Sequence, residues 1–162
     1  MTSKSIKPSA NDDAPVDLDL EDSLPYLIAR AGMRMGLAFT GELKQFGLTL
    51  TEWRACVALL HQPGQRLLEL SAHTSADVST LSRNVDSLIR RGLLSRDRSS
   101  QDARAVALSL TPQGLDVTRR IVPLAQLYER VATAGISPAQ LQTLRDQLRL
   151  IYQNLALLEQ RG

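Results

Sequence analysis

The stretch DVSTLSRNVDSLIRRGLLSRDRSSQDARAVALSL, residues 77–110, decides the fold. Its first half repeats with the period of a helix and its second with the period of a strand, and one glycine parts them. On a wheel of about 100° per residue, Val78, Leu81, Val85, Leu88 and Ile89 share one arc, which is what a helix needs to join a core. Ser79, Thr80, Arg83, Ser87 and Arg90 occupy the roughly opposite arc. Gly92 ends the helix, because glycine accepts the left-handed backbone that helix ends often take. Residues 93–98 and 104–110 then alternate apolar and polar side chains around a polar segment, which predicts a two-stranded hairpin.

A helix with small hydroxyls and arginines on its free face has the shape of one that enters a DNA major groove. Small residues near its start permit close approach, and Arg pairs bidentately with guanine. Taken alone, the same pattern equally describes a solvated amphipathic helix. The hairpin alters the balance. Arg96, Arg98 and Arg104 gather around its loop with Asp97 and Asp102, and Asp102 is placed to pair with Arg104 and hold it extended. An arginine on a thin ribbon suits the narrow minor groove beside an occupied major groove. A charged hairpin tip on its own is merely solvated; it is the junction of the two elements that points to DNA.

Upstream, residues 21–46 repeat Leu24, Leu27, Ile28, Ala31, Met35, Ala38 and Phe39 at helical steps and stop at Gly47. Thr51 is the expected cap of a second helix with Trp53, Val57 and Leu60 on one side, ending at Pro63-Gly64. A short third helix is expected at 67–74. Downstream, Thr111 caps and Pro112 opens a long helix to about residue 133, with Pro123 a candidate bend. Ser137 and Gln140 have the spacing of a capping box that starts a last helix to about residue 159. The reading is mainly α with a small β-hairpin wing. Residues 1–20, rich in Ser, Lys, Pro and Asp, read as a disordered acidic tail.

The whole chain carries 19 basic and 17 acidic side chains among its 162 residues. Two lysines face six acids within the first 22 residues, so the remainder is distinctly basic, in keeping with a polyanionic partner. Hydrophobic residues at 43% and charged residues at 22% are ordinary for a globular domain. No apolar run reaches membrane-spanning length and the first fourteen residues resemble no secretion signal, so a cytoplasmic protein is expected. A single cysteine, Cys56, excludes an intrachain disulfide and a Cys-rich zinc site. Two histidines, with no glycine-rich phosphate loop, no H-E-x-x-H and no G-x-S-x-G, leave little from which to build catalysis. No enzyme, no metal and no cofactor are expected.

In the last helix Leu141, Leu144, Leu148, Ile151, Leu155 and Leu158 recur at steps of 3, 4, 3, 4 and 3. This heptad seam buries best against another helix, supplied either by the same chain or by a second copy.

The segments 67–74, DVSTLSR (77–83), DSLIRRGLL (86–94), Asp102-Ala-Arg104 and LSLTPQG (108–114) together resemble the MarR family of bacterial regulators. The pattern D-x-R-x(5)-L-T-x-x-G is distinctive of that family and stands here as Asp102, Arg104, Leu110, Thr111 and Gly114. The likeness runs from about residue 21 to 160. It implies a winged helix-turn-helix lobe at 49–111 on a helical dimerisation domain, 21–48 and 112–160, and a homodimer joined through the first and last two helices on a pseudo-palindromic operator. By the resemblance Ser79, Thr80, Ser82 and Arg83 fall at major-groove positions, Arg98 and Ser99 near phosphates, and Arg104 in the minor groove.

The resemblance also implies a repressor released by a small aromatic anionic effector, an aromatic acid or an aromatic acyl-CoA. The candidate residues are Tyr26, Arg30, Arg34, Trp53, Cys56 and His61, with Gly32 and Gly36 leaving room beside the first helix. Each has a plainer reading: Arg30 and Arg34 as paired or snorkelling cations, Trp53 as core, His61 as a helix-end residue. Cys56 fits either a buried inert thiol or, with exposure and a lowered pKa, a redox sensor. A winged helix that binds only protein is the remaining alternative.

Overall fold

The computed structural model describes residues 19–74, 76–98 and 106–159. In order come α1 (Leu24–Leu43), α2 (Leu50–His61), α3 (Leu67–Thr74), α4 (Val78–Arg90), β1 (Leu94–Arg98), β2 (Val106–Leu110), α5 (Pro112–Ala132) and α6 (Pro138–Glu159). Short 3-10 turns flank α1 at Leu20–Asp22 and Lys44–Phe46. The mainly helical architecture with one antiparallel hairpin is the one the sequence predicts. The chain forms two compact units, Met1–Arg34 and Met35–Gly162, with the division inside α1.

In the larger unit the core gathers Leu43, Leu59, Leu70, Leu81, Val85, Leu88, Leu108 and Ile121, all essentially inaccessible. Each such side chain contributes about 1.5–3 kcal/mol through lost apolar hydration. Phe39 on α1 sets its ring 5.8 Å from Trp53 and 5.4 Å, edge-on, from Tyr128. The Tyr128 hydroxyl donates to Glu42 Oε1 at 3.0 Å, which ties α5 to the second half of α1. The space expected at Gly36 is taken by α2: a Cβ there would stand 3.0 Å from Leu50 Cδ2.

The start of α2 lies two residues earlier than the sequence reading places it. Thr49, not Thr51, is the cap, and its hydroxyl accepts from the Glu52 N–H while Glu52 Oε2 accepts from the Thr49 N–H at 2.8 Å. This reciprocal box fixes the cap because Thr49 and Glu52 have the spacing it needs, whereas Thr51 has no acid three residues on. Glu52 is nearly buried, and its other oxygen accepts from Arg91 Nη1 at 3.2 Å. One carboxylate therefore joins the start of α2 to the end of α4.

The hairpin pairs Leu94 with Leu110 and Arg98 with Val106 in continuous register. A third strand is reduced to a single bridge, in which Leu108 N donates to Gln65 O and Gly64 N donates to Leu108 O, each at 2.9 Å. No alternation around Pro63-Gly64 announces this bridge in the sequence. The base of the hairpin is welded to α5 by Thr111, whose hydroxyl donates to Gly92 O at 2.6 Å and accepts from Gly114 N at 3.0 Å. At Gly114 a Cβ would come within 1.9 Å of Leu93 O, so only glycine lets α5 start against that turn.

Candidate nucleic-acid interface

Helix α4 is aimed by its caps and its apolar face. Asp77 is the N-cap: its Oδ1 accepts from Thr80 N at 2.8 Å and from the Ser79 hydroxyl at 2.7 Å. Those hydrogen bonds, the Ser79 hydroxyl first, hold the Asp77 carboxyl well below its ordinary pKa. A depressed folded pKa means that the stabilisation is present above the unfolded value of about 3.9 and is lost as pH falls from there. At the other end the Arg91 N–H caps onto Ser87 O and Ile89 O, and Gly92 turns the chain with φ 70°.

Leu81, Val85 and Leu88 are completely buried against the core, and Ile89 is half-buried. Val78, which the wheel places with them, is instead 44% exposed, because it opens the helix a turn ahead of the first residue that reaches the core. On the opposite side Ser79 and Arg83 are exposed and Thr80 half-buried, while Ser82, also half-buried, lies at the edge of the apolar face. Arg83 lies along the helix, with Nε 3.4 Å from Ser79 O and Nη2 3.5 Å from Ser79 Oγ. These long contacts are easily exchanged for stronger charge-assisted ones. Asn84 is spent on Thr80 O at 3.1 Å.

The stem of the hairpin is linked to α4 by Arg96, whose Nη2 donates to Asp86 Oδ1 at 2.6 Å. In the sequence Arg96 reads as one of three arginines at the hairpin loop; in the fold it is paired with α4 across a joint whose buried part is Leu88, Leu93, Leu94 and Leu108. Arg98 is the last residue of β1. Its side chain, together with Ser99, Asp102 and Arg104, lies outside the described residues.

The candidate effector residues divide between the two units. In the smaller unit Arg30 Nη1 pairs with Glu21 at 3.0 Å and with the Tyr26 hydroxyl at 3.3 Å, its guanidinium 5.6 Å from the Tyr26 ring centre. Arg34 is exposed there. In the larger unit Trp53 and His61 line an open cleft of about 330 Å³ along α2 and α3. Sequence reasoning missed the rest of its lining as effector residues, Arg54, Gln65 and His73 among them. Only their convergence in space marks them, since Arg54 and His73 lie on different helices and Gln65 in the turn between.

Cys56 is in the core, not in the cleft wall. Burial pushes its thiol up to about 11, against a weaker opposing effect of a hydrogen bond with Thr118. A reactive sensor thiol needs the reverse on both counts. Among the described residues no helix is long and apolar enough to cross a membrane, and no group of His, Cys, Asp or Glu is arranged to hold a metal.

Comparison with known proteins places this geometry. A family model described as the MarR family matches residues 48–106, from just before the α2 cap to the first residue of β2. The HTH-type transcriptional repressor IacR of Pseudomonas putida is 28% identical over 151 residues, covering 93% of this chain and 90% of that protein. A solved MarR-family transcriptional regulator from Silicibacter pomeroyi shares 30% identity at a TM-score of 0.76, over 83% of this chain and 91% of its own. BpsR of Bordetella bronchiseptica, solved to explain how 6-hydroxynicotinic acid regulates its DNA binding, matches with a TM-score of 0.72 and 25% identity, over 82% of this chain and 94% of its own. A capped helix-turn-helix, a hairpin wing locked to it and these similarities agree: the chain belongs to the MarR family of winged helix-turn-helix, DNA-binding transcriptional regulators.

Proposed function

We propose that the chain is a homodimeric repressor that binds a two-fold operator and lets it go when a small aromatic anion is bound. Residues 49–111 form the reading lobe, and residues 21–48 and 112–160 the dimerisation domain. Ser79, Thr80, Ser82 and Arg83 meet base edges and phosphates in the major groove. Arg104 enters the adjacent minor groove, and Arg98 and Ser99 meet the backbone between them. The observation that carries the reading is the division of α4 into a wholly buried Leu81–Val85–Leu88 side, packed in one core with Leu93, Leu94 and Leu108 of the hairpin, and a free Ser79–Arg83 side, with the exposed Arg96–Asp86 pair across the joint. Phosphate contacts give affinity and salt dependence, and the base contacts of α4 give sequence preference.

Dimerisation is supported by α6, none of whose described side chains is fully buried within the chain, although Leu141 and Ile151 of the seam are half-buried. Its seam residues Leu144, Leu148 and Leu155 are 41%, 39% and 53% exposed. A heptad stripe left open in this way asks for another helix, and a two-fold dimer matches half-sites about one DNA turn apart. The effector part of the proposal draws support from BpsR and from the cleft that holds Trp53 and His61. A tenfold loss of operator affinity needs only about 1.4 kcal/mol of preference for the released state.

The test is selection of bound duplexes from a random pool, followed by titration of the selected duplex with and without 6-hydroxynicotinic acid and related aromatic acids. A palindromic consensus whose affinity falls when an acid is added supports the reading. Enrichment of no sequence rejects operator recognition, and a consensus indifferent to every acid rejects the effector.

A further inference from the structure

The structure assigns the α2–α3 cleft to one class of ligand, a flat carboxylate that also carries a hydrogen-bond donor, with Arg54 and His73 taking the carboxylate and Gln65 taking the donor; we infer this on the footing of the effector reading above. The cleft lies wholly within the larger unit, so the site is complete without the arginines of α1.

Its wall offers donors and no acid. Arg54 and the imidazoles of His61 and His73 line it and no carboxylate does. Trp53 and Val57 supply a flat apolar surface, which favours an aromatic ring over a free inorganic anion. Arg54 donates from Nη1 to Thr74 O, the end of α3, at 3.3 Å. That one bond holds the guanidinium beside the C-terminal turn that carries His73 and leaves the rest of the fork to a ligand.

Gln65 supplies the second requirement. It is 2% exposed, and Nε2 donates to two carbonyls, Ala58 O at 3.0 Å and Gln62 O at 2.8 Å. Two acceptors fix which end of the amide is nitrogen, so the buried Oε1 is left without a partner among the described residues. A buried acceptor without a donor costs free energy, and a ligand hydroxyl or N–H reaching it recovers that cost. The backbone of the same residue holds the wing, through Leu108 N to Gln65 O at 2.9 Å. A ligand engaging Gln65 therefore pulls on the residue to which β2 is hinged, a direct route from cleft to wing.

The experiment uses the full chain and its single tryptophan, whose one indole N–H resonance reports the cleft. The probes are para-hydroxybenzoate, para-methoxybenzoate and para-hydroxybenzamide, titrated to millimolar concentration against wild type, Arg54→Met and His73→Gln. Both substitutions are at exposed positions, and retained spectral dispersion verifies the fold. The expected result is a saturable shift with para-hydroxybenzoate, with binding weakened about tenfold for the amide and severalfold for the methyl ether. Arg54→Met erases the preference of carboxylate over amide. Equal binding of acid and amide, survival of the preference in Arg54→Met, or no shift with any probe overturns the assignment. Binding to the selected duplex is followed in parallel. Release of DNA by an acid without an indole shift keeps the effector reading and rejects the cleft. A saturable shift with the expected preferences and no release keeps the cleft and rejects the effector reading.

Discussion

Gly114 shows how a single residue can be dictated by the packing of two elements. Its missing Cβ is what allows α5 to begin against the Leu93 carbonyl, 1.9 Å from where that atom would be. Gly114→Ala forces the hairpin base and α5 apart, and chemical denaturation should show a loss of about 3 kcal/mol, the upper range for overpacking a close contact; an unchanged midpoint contradicts the packing described. Thr111 and Gly114 are legible as a motif, but their reason is visible only where the turn at Gly92 meets them. Cys56 is the opposite case, since its neighbours in sequence leave open whether it is inert. In the fold it is buried with its thiol raised to about 11. Because that folded value lies above the ordinary one of about 8.5, the neutral thiol favours the fold at neutral pH, and this contribution is lost as pH rises through the folded pKa. A thiol reagent at neutral pH should label Cys56 only when the protein unfolds, and peroxide should leave operator binding intact. Rapid native labelling contradicts the burial.

At the scale of elements, the change of period at Gly92 suffices to predict α4 and the hairpin, because burial of Leu81, Val85 and Leu88 obeys the helical repeat. What the sequence does not display is the fastening between elements. The Glu52–Arg91 and Arg96–Asp86 pairs link residues 39 and 10 positions apart, and no local pattern marks them. The Gln65–Leu108 bridge is likewise set by tertiary contact, and Val78 falls off the apolar face because the helix begins there. Arg91→Ala leaves the Glu52 carboxylate buried with the Thr49 N–H as its remaining described donor. Arg91 itself is partly exposed, so the cost is discounted for screening to about 2 kcal/mol. Thermal unfolding checks this, and Glu52→Gln combined with Arg91→Ala should recover part of the loss. No recovery in the pair contradicts the coupling.

For the whole molecule, the heptad spacing in α6 left its partner open, and the exposure of Leu144, Leu148 and Leu155 favours a second copy. Leu144→Glu with Leu148→Glu should convert the dimer to monomer in sedimentation while helix content stays close to wild type, and operator affinity should fall by more than about tenfold as the paired half-sites are lost. A variant that stays dimeric places the interface elsewhere. The central claim is that α4 and the wing read neighbouring grooves of one duplex. The measurement that meets it most directly is methylation interference on the selected duplex, comparing wild type with Arg83→Ala. Wild type should show interference at guanine N7 in two major-groove patches one turn apart, flanked by interference at adenine N3 in the minor groove. Arg83→Ala should lose a guanine signal in each half-site and keep the adenine signals, with dimerisation intact. An identical pattern for both proteins, or interference confined to one groove, contradicts the account.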